Sequence, residues 1–289
     1  MTEVLLTAAA VVIVFQLTLW LLSLPLRNAS IVDIGWGLGF VAVVWATRFV
    51  ADGVEARQNL LVLLTTLWGL RLAAYLAWRN GIRDEDFRYV AMRKRRSNFA
   101  VSSLWVVFGL QGAIMWIVSL PVQAGQVPNS PDLGILDGLG VALWIVGFAF
   151  ESVGDYQLAR FKADPAHQGQ VMDRGLWRYT RHPNYFGDFC VWWGLGLIAA
   201  ATGTAAWAVV GPAVMSFMLL RVSGVTMLER SLTKRRAGYD EYVRRTSTFF
   251  PRPPDRTARP GGPDRSTPKP IRFHRGGWHP HPAGGRMQQ

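Results

Sequence analysis

An all-α membrane bundle of about seven helices is the fold class this sequence predicts, and two observations predict it. Half of the 289 residues are hydrophobic and only 17% are charged, against roughly 25% charged in an average soluble protein. The apolar residues also gather into blocks of about 20, the length needed to cross a hydrocarbon layer of roughly 30 Å. With the single cysteine Cys190, the chain has no intramolecular disulfide and no cysteine-built zinc or iron–sulfur centre. Helix packing must hold it together.

The first block, 4–26, carries Gln16, Thr18 and Ser23 among its few polar residues. No basic residue precedes it, so it reads as a span and not as a cleavable signal peptide. Blocks 31–50, 60–78, 99–122, 135–157, 185–201 and 205–225 complete the seven, with Asp33, Glu151 and Asp155 among the acidic interruptions. In the second block Gly35, Gly37 and Gly39 lack any strand–turn–helix context, so they read as small residues for helix packing and not as a nucleotide loop.

Basic residues collect on the cytoplasmic side of short connections. The connection 79–98 holds seven of them, Arg79, Arg83, Arg88, Arg93, Lys94, Arg95 and Arg96, and the one after the fifth span holds Arg160, Lys162, Arg174, Arg178 and Arg181. By contrast 123–134 carries only Asp132, 202–204 carries no charge, and 51–59 is mixed, with Arg57 against Asp52 and Glu55. The expected topology is therefore an external N-terminus and a cytoplasmic C-terminus.

The membrane domain is expected to occupy 1–251 and to end in an interfacial helix at about 227–246, with Leu228, Leu232, Tyr239, Tyr242 and Val243 on one face. From 252 to 289 the composition shifts to eight Pro, six Gly and eight Lys or Arg, which predicts a disordered basic tail. Two acidic residues leave that tail at +6, half of the chain's +12. The basic loops and tail suit the bilayer's anionic lipid headgroups and not nucleic acid. His274, His279 and His281 have no fixed frame, so no metal site is expected.

Residues able to do chemistry cluster at the cytoplasmic ends of the spans. The densest run is Tyr179-Thr180-Arg181-His182-Pro183-Asn184-Tyr185-Phe186-Gly187-Asp188. Pro183 suits a helix start, and Arg181 beside a helix N-terminus suits an anion. Glu151 and Asp155, four apart, share a helix face, and carboxylates at membrane depth turn to a polar cavity; Asp155 either pairs with Arg160 or accepts hydrogen bonds from a ribose or carboxamide. Arg71 and Tyr75 share a face in the third block, with Arg79 one turn on. Arg79 can snorkel to headgroups, whereas Arg71 lies too deep and wants an anion such as a dinucleotide phosphate. Asp33 reads either as an acid catalyst or as a carboxylate paired locally near Arg27 or Asn28.

On these motifs, and on the ending Gly238-Tyr239-Asp240-Glu241-Tyr242-Val243-Arg244-Arg245-Thr246-Ser247-Thr248-Phe249-Phe250-Pro251, the sequence resembles the steroid 5α-reductases, in particular their bacterial branch, and more distantly the isoprenylcysteine carboxyl methyltransferases. The resemblance runs from about Asn28 to Pro251. It implies a seven-helix enzyme of the bacterial inner membrane that holds NADPH and reduces a carbon–carbon double bond in a lipid or steroid-like enone. It also implies cofactor-binding roles for Arg71, Tyr75, Asp155, Arg160, Tyr179, Asn184 and Asp188, with Arg79, Arg181, His182, Tyr185 and Tyr239 assigned to the same site. The family's acid pair is a Glu in the second helix and a Tyr in the third. Asp33 falls at the first position, whereas Trp68 falls near the second and offers no hydroxyl, so Tyr75 becomes the candidate to complete the proton path. The rival readings are methyl transfer from S-adenosylmethionine, for which only Glu229, followed by Arg230, stands where paired Glu are expected, and a non-catalytic membrane scaffold.

Overall fold

The computed structural model describes residues 1–81, 85–127, 132–222 and 238–255. Arg83, Glu229, Arg230, residues 223–225 of the seventh block, 227–237 of the expected interfacial helix and the tail beyond 255, with its three histidines, lie outside the described residues. Among those described, every regular element is helical: α1 (Thr2–Leu26), α2 (Ile31–Val50), α3 (Glu55–Asn80), α4 (Phe87–Lys94), α5 (Phe99–Val118), α6 (Leu120–Ala124), α7 (Ile135–Ala163), α8 (Pro183–Ala200), α9 (Ala205–Val222) and α10 (Tyr239–Arg245). Six of these, α1, α2, α3, α5, α7 and α9, are long and apolar enough to cross a membrane. The protein is a polytopic membrane bundle. The sixth predicted span, α8, falls outside those six because Asn184 and Asp188 occupy its first two turns; it is the interior helix, packed between α7 and α9. The fourth span ends at Val118, short of the expected 122, since Pro121 has no N–H for the carbonyl of Ile117.

Glycines set how closely the helices approach. A Cβ built on Gly37 would lie 2.4 Å from the Gly69 carbonyl oxygen, and one on Gly187 2.5 Å from that of Gly147. Small residues of this kind let membrane helices touch backbone to backbone. On α7 they recur every seventh residue, Gly140, Gly147 and Gly154, facing Gly194, Gly187 and Pro183 on α8, the spacing of a left-handed helix pair. The ladder brings the Glu151–Asp155 face of α7 against the Asn184–Asp188 face of α8. Gly35 and Gly39 do separate work, receiving Leu19 of α1 and Met115 of α5.

At one end of the bundle lies a buried polar lock. Arg57, 0% exposed, donates from Nε to Asp137 Oδ1 at 2.8 Å and from Nη2 to Asp137 Oδ2 at 2.9 Å and to the Asp132 carbonyl at 3.1 Å. Beside it the Gln58 amide donates to the carbonyls of Ala51 and Gln126. The third helix starts at Glu55, five residues earlier than the apolar block implied, so Arg57 sits in its first turn and not in a loop.

At the opposite end, loop and helix α4 are laced to the α1–α2 turn. Arg27 closes α1 in the left-handed region at φ 49°, Ala29 N–H donates to Glu85 at 2.8 Å, and Asp86 N–H donates to the Ser30 hydroxyl at 2.6 Å. Asp86 also caps α4, accepting from the Arg88 N–H and Nε, each at 2.9 Å. Burial pushes its carboxyl up, but the hydrogen bonds and charge of Arg88 outweigh that and hold it below the ordinary carboxylate range. Its contribution is therefore complete above the unfolded value of about 3.9 and is lost as pH falls through the depressed native value. Hydrogen exchange should show the amides of Arg88, Tyr89 and Val90 deprotected by Asp86→Ala at neutral pH, a cap loss of about 1 kcal/mol. In the unaltered protein the same loss is expected only below about pH 4; equal protection in both proteins would remove the cap from the account.

The described start of the tail is not free of contacts: the N–H of Arg252 donates to the Tyr179 carbonyl and that of Asp255 to the Arg245 carbonyl.

Candidate functional site

Three helices meet in a polar seam. From α3, Arg71 donates to Glu151 Oε1 and to Asp155 Oδ2, both at 2.6 Å, so one guanidinium bridges two α7 carboxylates. From α8, Asn184 Nδ2 donates to Asp155 Oδ1 at 3.2 Å. Glu151 also accepts from Trp68 Nε1 at 2.9 Å. Asp188 completes the seam within the electrostatic reach of Glu151 and Arg71, yet its Oδ1 is buried without a hydrogen-bond partner. Trp192 Nε1, near that carboxylate but outside hydrogen-bonding geometry, is likewise unpartnered. Beneath lies an aromatic floor: Trp192 contacts Phe40 and Trp68 with ring centroids 4.6 and 5.3 Å apart.

Tyr75 continues the seam toward the bundle end. Its ring lies between two guanidinium groups, Arg71 at 5.5 Å and Arg79 at 5.4 Å from the centroid, an arrangement attractive to the ring quadrupole. Its hydroxyl stands 3.5 Å from the Asp155 carbonyl.

A second cluster surrounds Asp33. Arg88 Nη2 donates to Oδ2 at 2.7 Å, the Tyr89 hydroxyl donates to Oδ1 at 2.8 Å, and Gln111 of α5 donates to the Tyr89 oxygen at 3.2 Å and to Asp33 Oδ1 at 3.4 Å. Asp33 is thus a paired carboxylate, and its partner is Arg88, not Arg27. Burial and the Asp33 carboxylate hold the Tyr89 phenol well above its ordinary range, so it keeps its proton. Arg88 is pinned protonated: burial alone would lower it, but Asp86 and Asp33 more than compensate. Tyr185 stands between the two clusters, its phenol in the fields of Arg79, Arg88, Asp155 and Asp188, with the His182 ring stacked on it at 5.5 Å and 6°.

Of the residues singled out from sequence, the structure brings Arg71, Tyr75, Arg79, Asp155, Asn184, Tyr185 and Asp188 together, with His182 behind Tyr185. Four others stand apart. Arg160 reaches the Tyr156 hydroxyl at 3.3 Å on the exposed flank of α7. Arg181 is buried and donates to the carbonyls of Val243 and Thr246 and to the Thr248 hydroxyl, clamping the segment after α10. Tyr179 is 43% exposed, and Tyr239 is buried against Tyr242. Trp68 lies in the core at 0% exposure. Arg88, Tyr89 and Gln111 escaped the sequence reading. The first two were hidden in a basic loop; Gln111, a long polar residue inside an apolar span, was the visible signal.

No solved structure matches this chain. An uncharacterized protein of the fission yeast Schizosaccharomyces pombe is 23% identical over 270 residues, covering 81% of this chain and 76% of the yeast protein; a fungal relative lends nothing to the expected bacterial inner membrane. The family model described as "Protein of unknown function (DUF1295)" matches residues 19–246, which include both clusters and all six membrane-crossing helices in whole or in part, and the chain belongs to that family.

Proposed function

We propose that the protein is a membrane-bound reductase that uses NADPH to saturate a carbon–carbon double bond activated by a carbonyl in a lipid. One observation carries this reading: among the described residues of the seam, one Asp188 carboxylate oxygen and Trp192 Nε1 are buried without a hydrogen-bond partner. Buried groups are left so at a cost of roughly 1–3 kcal/mol each, which a ligand carrying both donor and acceptor removes. A nicotinamide carboxamide has that chemistry, with Asn184 beside it as a further amide partner. NADPH, when bound, supplies a hydride. The membership of steroid 5α-reductase-like proteins in the DUF1295 family supports the same reading.

The chain's own part is to position and to protonate. Arg71 is committed to two carboxylates, so phosphate neutralisation passes to the cations nearer the bundle end, Arg79 first, with the exposed Arg174 and Arg178. Tyr89, oriented by Asp33 and Gln111, is the proton-bearing group for the substrate oxygen. It supplies the hydroxyl that Trp68 lacks, and it displaces Tyr75 from that role. The basic loops at this end make it the cytoplasmic one. There the exposed Lys94, Arg95 and Arg96 and the 75%-exposed Phe87 would meet anionic headgroups and the acyl boundary.

The test is NADPH titration of the detergent-purified protein by fluorescence or calorimetry. Saturable binding weakened about tenfold by Asn184→Ala, or about 1.4 kcal/mol, is the expected result; absence of binding overturns the proposal. The acidic seam also suits the sulfonium of S-adenosylmethionine, so that ligand is titrated in parallel. Its binding in place of NADPH would make the protein a methyltransferase.

A further inference from the structure

Near the end of the bundle opposite the basic loops, α2 and α3 leave a groove of about 500 Å³ between them. Its walls are apolar: Trp45 and Phe49, the latter 79% exposed, stand on α2, and the exposed Leu63 stands on α3. Trp45 Nε1 is already satisfied, donating to Thr66 Oγ1 at 3.1 Å, so the walls ask for a hydrocarbon chain and not for a polar ligand. Both helices are long and apolar enough to cross a membrane, and the groove therefore opens onto lipid. Polar groups are confined to its mouth, in the last turn of α2 and the first two turns of α3, where headgroups begin. There Arg48 Nε donates to Asn59 Oδ1 at 3.4 Å, and Arg48 Nη2 stands 3.9 Å from Glu55 Oε1. These contacts are long beside the 2.8 and 2.9 Å bonds of Arg57 at the same end. Glu55 and Asn59, four residues apart, share a face of α3; the Glu55 side chain is 80% exposed. The mouth thus offers N–H donors from Arg48 and Asn59 beside an open carboxylate.

We propose that this groove is a binding site for a zwitterionic phospholipid with a primary ammonium, of the phosphatidylethanolamine kind. The phosphate accepts from the Arg48 guanidinium and the Asn59 amide, the ammonium donates to Glu55, and one acyl chain lies along Trp45, Phe49 and Leu63. Charge at this end selects the zwitterion. In the connections 51–59 and 123–134 the only basic residue, Arg57, is spent on Asp137, while Asp52, Glu55 and Asp132 are acidic, and the connection 202–204 carries no charge. A headgroup of net negative charge meets one cation and several carboxylates there, the reverse of the basic loops at the other end. A quaternary ammonium has the same charge as a primary one but no N–H to give Glu55, which separates ethanolamine from choline. The site lies outside the polar seam and stands whether or not the protein is a reductase.

The experiment is native mass spectrometry of the detergent-purified full chain titrated with palmitoyl-oleoyl phosphatidylethanolamine, phosphatidylcholine and phosphatidylglycerol. Phosphatidylethanolamine is expected to bind about fivefold more tightly than either of the others. Glu55→Gln is expected to bring it down to the level of phosphatidylcholine, and Arg48→Gln to weaken both zwitterions about fivefold. Leu63→Trp, which fills the groove from a lipid-facing position, is expected to abolish the selective binding. Equal retention of the three lipids, preference for phosphatidylglycerol, or a preference for phosphatidylethanolamine that survives both Glu55→Gln and Arg48→Gln overturns the proposal. A lipid-free dimer that Leu63→Trp dissociates also overturns it and gives the groove to a second copy of the chain.

Discussion

Arg57→Ala is expected to destabilise the protein by about 3–5 kcal/mol, the cost of stranding one member of a buried ion pair. The guanidinium and carboxylate bond through both arms, at 2.8 and 2.9 Å, and neither side chain has appreciable access to solvent. With the arginine gone, Asp137 loses its charge partner and keeps backbone N–H donors such as Gly134 at 2.8 Å, near the start of α7. The pair is the polar tie between α3 and α7 at that end, so its loss releases the register that aligns Arg71 with Glu151 and Asp155 farther along the same two helices. Thermal unfolding in detergent should show the single variant melting well below the parent. Arg57→Met combined with Asp137→Leu removes both charges and should recover most of the loss, because an apolar pair avoids the desolvation cost altogether. A single variant as stable as the parent would show that the pair does not hold the bundle.

The second large effect concerns the proposed proton donor. Tyr89→Phe is expected to lower NADPH-dependent saturation of the substrate about 10²–10⁴-fold, the usual contribution of a positioned acid, while leaving NADPH affinity within a factor of about two. Geometry separates the two tyrosines. The Tyr89 hydroxyl is held by Asp33 at 2.8 Å and by Gln111 at 3.2 Å, whereas Tyr75 lies between Arg71 and Arg79 on the seam side. Tyr75→Phe should consequently act on cofactor affinity more than on turnover. Full turnover in Tyr89→Phe, with loss in Tyr75→Phe, would exchange the two roles.

Much of this architecture was legible in the sequence because bilayer crossing imposes long apolar runs. All six hydropathic helices overlap predicted blocks, and α8, whose interior position lets it carry Asn184 and Asp188, was visible through its Pro183 start and Trp-rich body. What periodicity could not show was partnering. Arg71 read as a cation awaiting phosphate, since the sequence shows one guanidinium but not that Glu151 and Asp155 face it from a helix 80 residues away. Arg57 read as loop charge because its Asp137 partner is equally distant in sequence. The same limit hid Tyr89 and Gln111: a residue's role in a polar network is set by which helices adjoin, and that follows from glycine spacings such as 140, 147 and 154 only once the facing helix is known. Arg181 stands apart from the seam for the opposite reason. Its motif is real, but its donors close onto carbonyls of the segment after α10.

The seven-residue glycine ladder has a mechanical consequence. Where the two backbones approach closely at Gly140, Gly147, Gly187 and Gly194, little space is left between α7 and α8 to take up play, so the pair is expected to move as one stiff plank. A bilayer thinner or thicker than the protein's hydrocarbon belt is accommodated by tilting and local lipid deformation. That adjustment falls to α1, whose apolar surface is the least covered by the rest of the bundle. The spacing of the two acidic faces is thereby insulated from changes in lipid composition. Reconstitution into short- and long-chain phosphatidylcholine should alter the tilt of the first helix and leave nucleotide affinity constant.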